Sequence, residues 1–189
     1  MLALAAERVA GVETVQADAP ATGLESGAFD LVHERTLLLN LTDPEAAAVE
    51  MVRLARPGGV VALQEPDASV WSCSPPHPAF EALRAALVAM FSRVGKDFTI
   101  GQRAHRLLRD AGLRDVRLRP TAPATHSGDC YHTFLLALCR LLREPLLATG
   151  TLTGGELDRG VAEVREHLLR PDTITCQPLF WQAWGVKAG

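Results

Sequence analysis

The stretch Gly27–Asp67 limits the fold of this chain more than any other part of the sequence. It contains a short apolar segment at Phe29–His33, a loop, a helical segment, a Pro-Gly-Gly turn and a second apolar segment at Val60–Gln64. The helix start is distinct, because Asp43 suits the N-cap and Pro44 suits the first helical position. A strand, a helix and a second strand of this size form a parallel βαβ crossover with buried, apolar strands. The sequence therefore predicts an α/β fold.

Further strands and helices are predicted on both sides of this crossover. Val12–Ala17 alternates weakly and is predicted as a strand, as are Val116–Pro120 and Ile174–Val186 further along the chain. Pro178 interrupts the last of these, which indicates a sheet edge, a bulge or an irregular strand start. Periodicity and composition predict helices over residues 2–10, 80–94, 100–111 and 131–143, and one after a capping box of Thr153 and Glu156.

Length, charge and cysteine spacing exclude several classes of protein. A chain of 189 residues suits one domain, and its net charge of −3 offers no long-range attraction for nucleic acid. The start of the chain lacks the features of a signal peptide, and no run of about 18 apolar residues occurs. The four cysteines have no CxxC spacing, so neither a zinc site nor a redox pair is indicated. We therefore expect a cytoplasmic protein with reduced thiols, no bound metal, and neither membrane nor nucleic acid as a partner.

Three short motifs, in this order and at this spacing, resemble those of class I S-adenosylmethionine (SAM) methyltransferases. They are FDLV at Phe29–Val32, ARPGG at Ala55–Gly59 and RDAGL at Arg109–Leu113. The resemblance implies a Rossmann-like sheet of order 3-2-1-4-5-7-6, mostly parallel with an antiparallel last strand. The five predicted strands then correspond to strands three to seven. Another doubly wound α/β protein is the alternative.

The resemblance also implies how the chain is organised. Residues 1–189 would form a single domain, equivalent to the C-terminal two thirds of a methyltransferase domain, with helical cap insertions at 71–112 and 121–172 that form the substrate pocket. The family's first two strands, and the glycine-rich loop that holds SAM, have no counterpart here. Strand four would then be an exposed edge. We expect an oligomer formed through that edge, a rearranged sheet or a fragment of a longer protein; a misplaced start codon is an equally plain explanation.

The resemblance assigns cofactor contacts to five residues. The carboxylate of Asp18 would accept a hydrogen bond from the adenine amino group of SAM, and the backbone of Ala19 would face the adenine ring. His33, Glu34 and Arg35, at the carboxyl end of strand four, would line the methionine moiety of SAM. A histidine titrates near neutral pH, so His33 is also the candidate general base. The alternatives are that Asp18 caps a turn and that the other three are solvated polar groups of a loop.

Four further residues are candidates for substrate binding. Glu65, after strand five, could orient a hydroxyl or amine of the acceptor, or could belong to a strand-ending turn. Trp71 is either a lid residue or a packing anchor. Tyr131 and His132 lie in the segment HSGDCYH, whose residue types are metal ligands but are typical also of a loop that leads into a helix. Substrate contact is the interpretation that we favour there.

Two functions follow from these observations. The first is a SAM-dependent methyltransferase that acts on an oxygen, nitrogen or carbon nucleophile of a small molecule, if the missing N-terminal part is supplied. The family transfers the methyl group by in-line alignment and needs no universal catalytic residue. The second is a non-catalytic methyltransferase-like remnant that serves as a binding or interaction module.

Overall fold

The computed structural model describes residues 11–189, so the helix predicted over residues 2–10 lies outside the described part of the chain. The helices are α1 (Pro44–Leu54), α2 (Pro78–Arg93), α3 (Ala104–Asp110), α4 (Phe134–Leu141), α5 (Arg143–Ala148) and α6 (Gly154–Leu168). The strands are β1 (Phe29–Arg35), β2 (Ala55–Asp67), β3 (Ser72–Ser74), β4 (Leu113–Thr121), β5 (Ala124–His126), β6 (Ile174–Cys176) and β7 (Leu179–Lys187). Short 3-10 turns occupy Leu38–Asn40, Ala68–Val70 and Ile100–Arg103.

The main sheet has the order β1-β2-β7-β4. β1 runs parallel to β2, and β7 lies antiparallel between β2 and β4. In the numbering that the resemblance implies, this is the order 4-5-7-6 with an antiparallel strand seven. The predicted fold class, an α/β fold with a Rossmann-like, mostly parallel sheet and one antiparallel strand, is therefore confirmed.

The predicted strand at Val12–Ala17 does not form. These residues lie in irregular structure, and the only pairing nearby is an isolated bridge between Asp18 and Ala21. A strand is stable only when its backbone groups find partners in a neighbouring strand. Within residues 11–189 no strand lies beside this segment to supply them.

The predicted last strand is in fact two strands in different sheets. β6 is the middle strand of a small antiparallel sheet of order β3-β6-β5, whereas β7 belongs to the main sheet. Gln177 and Pro178 separate them, and proline cannot donate a hydrogen bond to a ladder. The interruption expected from Pro178 is thus a change of sheet.

Strand β1 is more exposed than its apolar sequence predicts. Phe29 and Leu31 are 39% and 58% exposed, because β1 is the end strand of the sheet and pairs only with β2 among the described residues. The expected exposed edge is therefore present. The Pro-Gly-Gly turn lies inside β2 as a bulge, since Phe29 pairs with Ala55 but Leu31 pairs with Val60.

One side of the main sheet, here called the helix-covered face, carries the core. Val61 and Leu63 of β2 and Ala183 of β7 point to it and are at most 2% exposed. Helices α1 and α3 contact these strands, and α1 contributes Ala47 and Met51 to the same core. Asp43 accepts from Ala46 N at 2.9 Å, which confirms the predicted N-cap of α1.

The remaining helices form a cap that follows the carboxyl end of β2. Helices α2, α4, α5 and α6 pack together there beside the small sheet. Thr153 and Glu156 form the predicted capping box at the start of α6. No helix within residues 11–189 combines the length and apolar character needed to cross a bilayer.

The buried carboxylate of Glu50 joins helix α1 to the segment before β1 through hydrogen bonds. Glu50 accepts from Thr22 N at 2.9 Å and from Arg53 Nε at 2.6 Å, and Arg53 also bonds to Ser26 and to Leu24 O. The hydrogen bonds from Arg53 and Thr22 lower the pKa of Glu50 to about 2.

We expect Glu50→Gln to lower the free energy of unfolding by about 1 kcal/mol or more at pH 7, the usual contribution of hydrogen bonds to a charged group. The pKa of Glu50 is lowered in the folded state, so its contribution is present above the unfolded value near 4.5 and is lost as the pH falls towards 2. Urea unfolding at pH 7 and pH 3 measures this. Glu25→Gln, in the same segment, is the control, and equal losses in the two variants would contradict the assignment.

Candidate functional site

Two glutamates at the ends of neighbouring parallel strands form a buried pair. Glu34 lies near the end of β1 and Glu65 near the end of β2, and they are 6% and 0% exposed. Glu34 is opposite Leu63 in register, so both carboxyl groups lie on the helix-covered face. In open α/β sheets, ligands bind at these carboxyl ends of the strands.

Backbone N–H groups of the turn after β1 donate hydrogen bonds to the two carboxyl groups. Leu38 N donates to Glu65 Oε1 at 2.6 Å, and Leu37 N donates to Glu34 Oε2 at 3.0 Å. Glu65 and Glu34 are also hydrogen bonded to each other through their side chains. The oxygens left over, Glu34 Oε1 and Glu65 Oε2, are buried without another partner. A proton held between these two oxygens satisfies both.

Burial decides where that proton sits. Together with the negative charge of Glu34, it raises the pKa of Glu65 to about 9. Burial also raises the pKa of Glu34, but the hydrogen bonds from Glu65 and Leu37 N oppose that rise. Two adjacent carboxylates without water would repel strongly. Glu65 is therefore the member of the pair that holds a proton at neutral pH.

A tight turn closes the chain over this pair. Thr36 has a positive φ of 54° and donates its backbone N–H to Gln64 O at 3.0 Å. Asn40 Nδ2 donates to Thr36 O at 3.0 Å, which fixes the 3-10 turn Leu38–Asn40. Leu38 is fully buried as a result. The backbone N–H groups are thereby aimed at the two glutamates.

A second turn packs against the end of β2. A Cβ on Gly101 would lie 2.6 Å from Glu65 O and 2.6 Å from Trp181 Cδ1, so only glycine fits there. Gln102 Nε2 donates to Asp67 Oδ2 at 2.9 Å. Glu65 therefore lies beneath two turns and has no exposed surface.

His33 and Arg35 point away from Glu34. Successive residues of a strand face opposite sides of the sheet, and all three lie within β1 rather than in a loop after it. His33 and Arg35 are exposed on the side opposite the helices, with the Arg35 guanidinium 5.8 Å from the ring centre of Phe180. The structure therefore does not bring the three predicted neighbours into one pocket.

The other predicted cofactor residues lie in the segment before β1. Asp18 is exposed, and its backbone oxygen accepts from Ala21 N at 3.0 Å in a tight turn. Ala19 is half-buried in that turn. Asp18 therefore lies in a turn with its carboxylate exposed.

The candidate substrate residues of the cap have different surroundings. Trp71 is 1% exposed, with its ring centre 6.1 Å from that of Phe80, which is the packing anchor of the two alternatives. Tyr131 is 58% exposed and its ring packs against Phe134. His132 is buried; its Nε2 lies 2.9 Å from Leu168 O and its Nδ1 lies 3.4 Å from Thr175 Oγ1. Both nitrogens of His132 are thus engaged within the protein.

No group of three or more metal-ligating side chains is suitably placed anywhere in residues 11–189. His126 and Asp129 of the HSGDCYH segment lie 3.7 Å apart, but Cys130 is exposed beside them. Four cysteines are present as free thiols.

The described residues do not by themselves enclose a ligand of the size of SAM at the strand ends. Glu34 and Glu65 bond to each other and to the turn above them, and His33 faces the other side of the sheet. Two surface cavities lie elsewhere, one of about 230 Å³ between α1 and α3 and one of about 280 Å³ beside His77 and His167. Residues 11–189 thus supply at most one wall of a cofactor site at the strand ends.

Comparison with known sequences gives a match over the first part of the chain. Residues 1–63 match the methyltransferase domain family. A 37.1 kDa protein encoded in transposon TN4556 of Streptomyces fradiae is 32% identical over 108 residues, which is 57% of this chain and 30% of that protein. The chain therefore spans less than a third of the length of this curated relative.

Solved structures of low sequence identity share the fold. A candidate methyltransferase from Bacillus halodurans has a TM-score of 0.55 and 13% identity, over 94% of this chain and 78% of that one. A SAM-dependent methyltransferase from Thermotoga maritima has a TM-score of 0.52 and 15% identity, over 94% and 65%. The [4+2]-cyclase SpnF has a TM-score of 0.51 and 16% identity, over 99% and 61%. Residues 1–63 thus match the methyltransferase domain family, and the chain shares the Rossmann-like fold of these methyltransferase structures.

Proposed function

We propose that this chain acts in SAM-dependent methyl transfer to a small-molecule acceptor. The observation that carries the proposal is the placement of β7, antiparallel between β2 and β4 beside the parallel pair β1 and β2. Together with the family match over residues 1–63, this arrangement favours methyl transfer over other uses of an α/β sheet. Fold alone does not fix an activity, as the cyclase among the structural relatives illustrates.

The cap supports a small-molecule acceptor. Its helices follow β2 directly and lie at the carboxyl end of the parallel strands, where ligands of such sheets bind. The exposed ring of Tyr131 is the side chain of the cap that we propose for acceptor contact. Trp71 and His132, both buried, would support the pocket wall from behind.

At the strand ends we propose two kinds of role. Asp18 and His33 are exposed, so Asp18 is the candidate for cofactor contact and His33 the candidate general base. Ala19 and Arg35 accompany them as further contacts. Glu34 and Glu65 are buried, so their proposed role is indirect: they hold the turn after β1 in place by accepting from Leu37 N and Leu38 N.

Activity would require more polypeptide than the described residues supply. The chain covers 78%, 65% and 61% of the three solved structures above, and residues 11–189 do not by themselves enclose the cofactor. A longer protein, or a second copy paired along the exposed edge of β1, could complete the site. A cytoplasmic location is part of the proposal, because all four thiols are free.

A non-catalytic binding module is the second candidate. The observation that favours it is the closed packing at the ends of β1 and β2, where Glu34 and Glu65 interact with each other rather than facing a cavity. Cofactor binding separates the two candidates.

We expect SAM titration by calorimetry to give a dissociation constant in the micromolar range if the chain binds the cofactor. Asp18→Asn should then weaken binding about tenfold, because a neutral amide oxygen accepts a weaker hydrogen bond than a carboxylate does. Glu13→Gln, an exposed change in the same loop, is the matched control. Release of S-adenosylhomocysteine with a panel of small-molecule acceptors tests transfer. No heat at millimolar SAM would reject the enzyme for this chain and leave the binding module.

A further inference from the structure

Two histidine rings are in contact where the first turn of α2 meets the last turn of α6. The ring centres of His77 and His167 lie 4.7 Å apart, and the ring planes are inclined by 42°. His77 is half-buried immediately before α2, and His167 is 7% exposed on α6. Because α2 and α6 pack against each other, the two rings lie at one end of a helix–helix interface in the cap.

The hydrogen bonds of the two histidines differ in the protonation state that they require. His77 Nδ1 caps α2 by accepting from Ala79 N at 3.3 Å, which is possible only while Nδ1 carries no proton. His167 Nε2 lies 2.8 Å from Pro75 O. A carbonyl oxygen only accepts, so His167 Nε2 is the donor in that bond, and a protonated ring can donate there too. Protonation therefore breaks the bond of His77 and leaves that of His167 intact.

Two further effects oppose a positive charge on His77 in this position. The N-terminus of a helix is the positive end of its dipole, so a cation immediately before α2 is unfavourable. Histidine side chains titrate near neutral pH, and when His167 is protonated as well, two like charges are in contact. Acidification thus turns a favourable contact between α2 and α6 into a repulsive one.

Acidic side chains of α6 border the same cavity as the two rings. Glu163 and Glu166 line the cavity of about 280 Å³ beside His77 and His167. Both glutamates are exposed and take part in none of the ion pairs found within residues 11–189. The cavity therefore offers a protonated His77 two carboxylates as alternative partners.

The other titratable groups near the pair are already partnered or neutral. Arg170, which also borders the cavity, is paired with Asp172 at 2.9 Å. On α2, Glu81 is paired with Arg84 at 2.6 Å. The thiol of Cys73, in β3, stays neutral over the range in which histidines titrate, because burial raises its pKa. The charge around the rings thus changes mainly through the two histidines themselves.

We propose that His77 and His167 form a pH-sensitive contact that holds α2 against α6 at neutral pH and releases it in acid. At pH 7.5 the neutral ring of His77 caps α2 and packs against His167. At pH 5.0 the protonated ring releases Ala79 N and turns towards Glu163 or Glu166. The first turn of α2 then moves apart from the last turn of α6.

The first turn of α2 also contributes to the core of the cap. Phe80 is fully buried, and its ring centre lies 6.1 Å from that of Trp71. Release of this turn in acid therefore loosens the packing around Trp71. The proposal does not rest on methyl transfer, because it concerns the contact of two helices in the absence of any ligand.

Hydrogen exchange in the first turns of α2 tests the proposal. Exchange of the whole protein is followed by mass spectrometry at pH 5.0 and pH 7.5, and each rate is divided by the intrinsic rate at that pH. Amides of residues 79–84 should be about tenfold less protected at pH 5.0, as expected when a helix loses its cap and its neighbour. The titration of Glu65 acts in the opposite direction, because its raised pKa stabilises the folded protein at lower pH.

Two variants separate His77 from other effects of acid. His77→Asn keeps a good N-cap but cannot be protonated in this range, so it should be equally protected at both pH values. His105→Asn, an exposed change on α3, is the matched control and should keep the difference shown by the unmodified protein. Nitrogen NMR of the unmodified protein gives a second measurement, in which the ring of His77 should be the Nε2–H tautomer at pH 7.5.

Any of four results would overturn the proposal. The first is equal protection of residues 79–84 at both pH values in the unmodified protein. The second is a loss of protection at pH 5.0 that persists in His77→Asn, since another group would then be responsible. The third is a loss of equal size in β2 and β7, which would indicate general loosening of the fold in acid. The fourth is the Nδ1–H tautomer of His77 at pH 7.5, which could not cap α2.

Discussion

Replacing Glu65 with glutamine is expected to make the protein more stable at pH 8, by about 2–4 kcal/mol. The protonated carboxyl of Glu65 accepts from Leu38 N and donates towards Glu34. A glutamine keeps both contacts, because its carbonyl accepts and its amide donates, but it cannot lose a proton. The variant therefore removes the titration and leaves the hydrogen bonds in place.

The sign of the pH dependence follows from the raised pKa. Between the unfolded value near 4.5 and the folded value of about 9, the folded protein holds a proton on Glu65 that the unfolded chain has released. Stability falls with rising pH wherever the folded state binds more protons, by up to about 1.4 kcal/mol per pH unit. The free energy of unfolding of the unmodified protein should thus decrease from pH 5 to pH 8.

Urea unfolding at pH 5, 6, 7 and 8 measures this slope. Glu65→Gln should flatten it, whereas Glu163→Gln, an exposed change on α6, should leave it unchanged. Glu65→Leu should lower stability at pH 5 by about 2–5 kcal/mol, because Leu38 N and Glu34 both lose their partner. The loss should shrink towards pH 8, because leucine also removes the titration of Glu65. Parallel slopes for the unmodified protein and Glu65→Gln would show that the pair does not share a proton.

The parts of the fold that sequence analysis predicted are those set by local chemistry. The start of α1 follows from Asp43 and Pro44, and that of α6 from Thr153 and Glu156, because a cap acts within one turn of helix. The central strand β2 follows from its apolar run. Burial of β1 was not predictable in the same way, because it depends on whether another strand lies beside it.

The glutamate pair could have been found by aligning the two strands. Placing Val32 beside Val61 puts Glu34 beside Leu63, one pleat away from Glu65. The same alternation shows that His33 and Glu34 cannot face the same side. The prediction treated His33 to Arg35 as a loop, which removed this constraint. The role of Gly101 could not be predicted, since it depends on a distant turn meeting β2.

Gly101→Ala is expected to destabilise the protein by about 3 kcal/mol or more, at the upper end of the range for overpacking. The added Cβ would lie 2.6 Å from Glu65 O and 2.9 Å from Pro66 O. Both atoms belong to the backbone of β2, which is held there by its pairing with Trp181 and Phe180 of β7. The third contact, at 2.6 Å from Trp181 Cδ1, is with a ring that packs against the core.

Space rather than backbone conformation is the reason for this expectation. Gly101 lies in the 3-10 turn Ile100–Arg103 and is not among the glycines of positive φ, so alanine can adopt its backbone angles. Gly155→Ala is the matched control, because no heavy atom lies within 4 Å of its added Cβ and alanine favours the helix that begins there. The control should be neutral or slightly stabilising in urea unfolding. Near-ultraviolet circular dichroism would report the disturbance at Trp181 directly. If the two variants unfolded at the same urea concentration, the turn would not be in contact with the end of β2. The burial of Glu65 beneath two turns would then be contradicted as well.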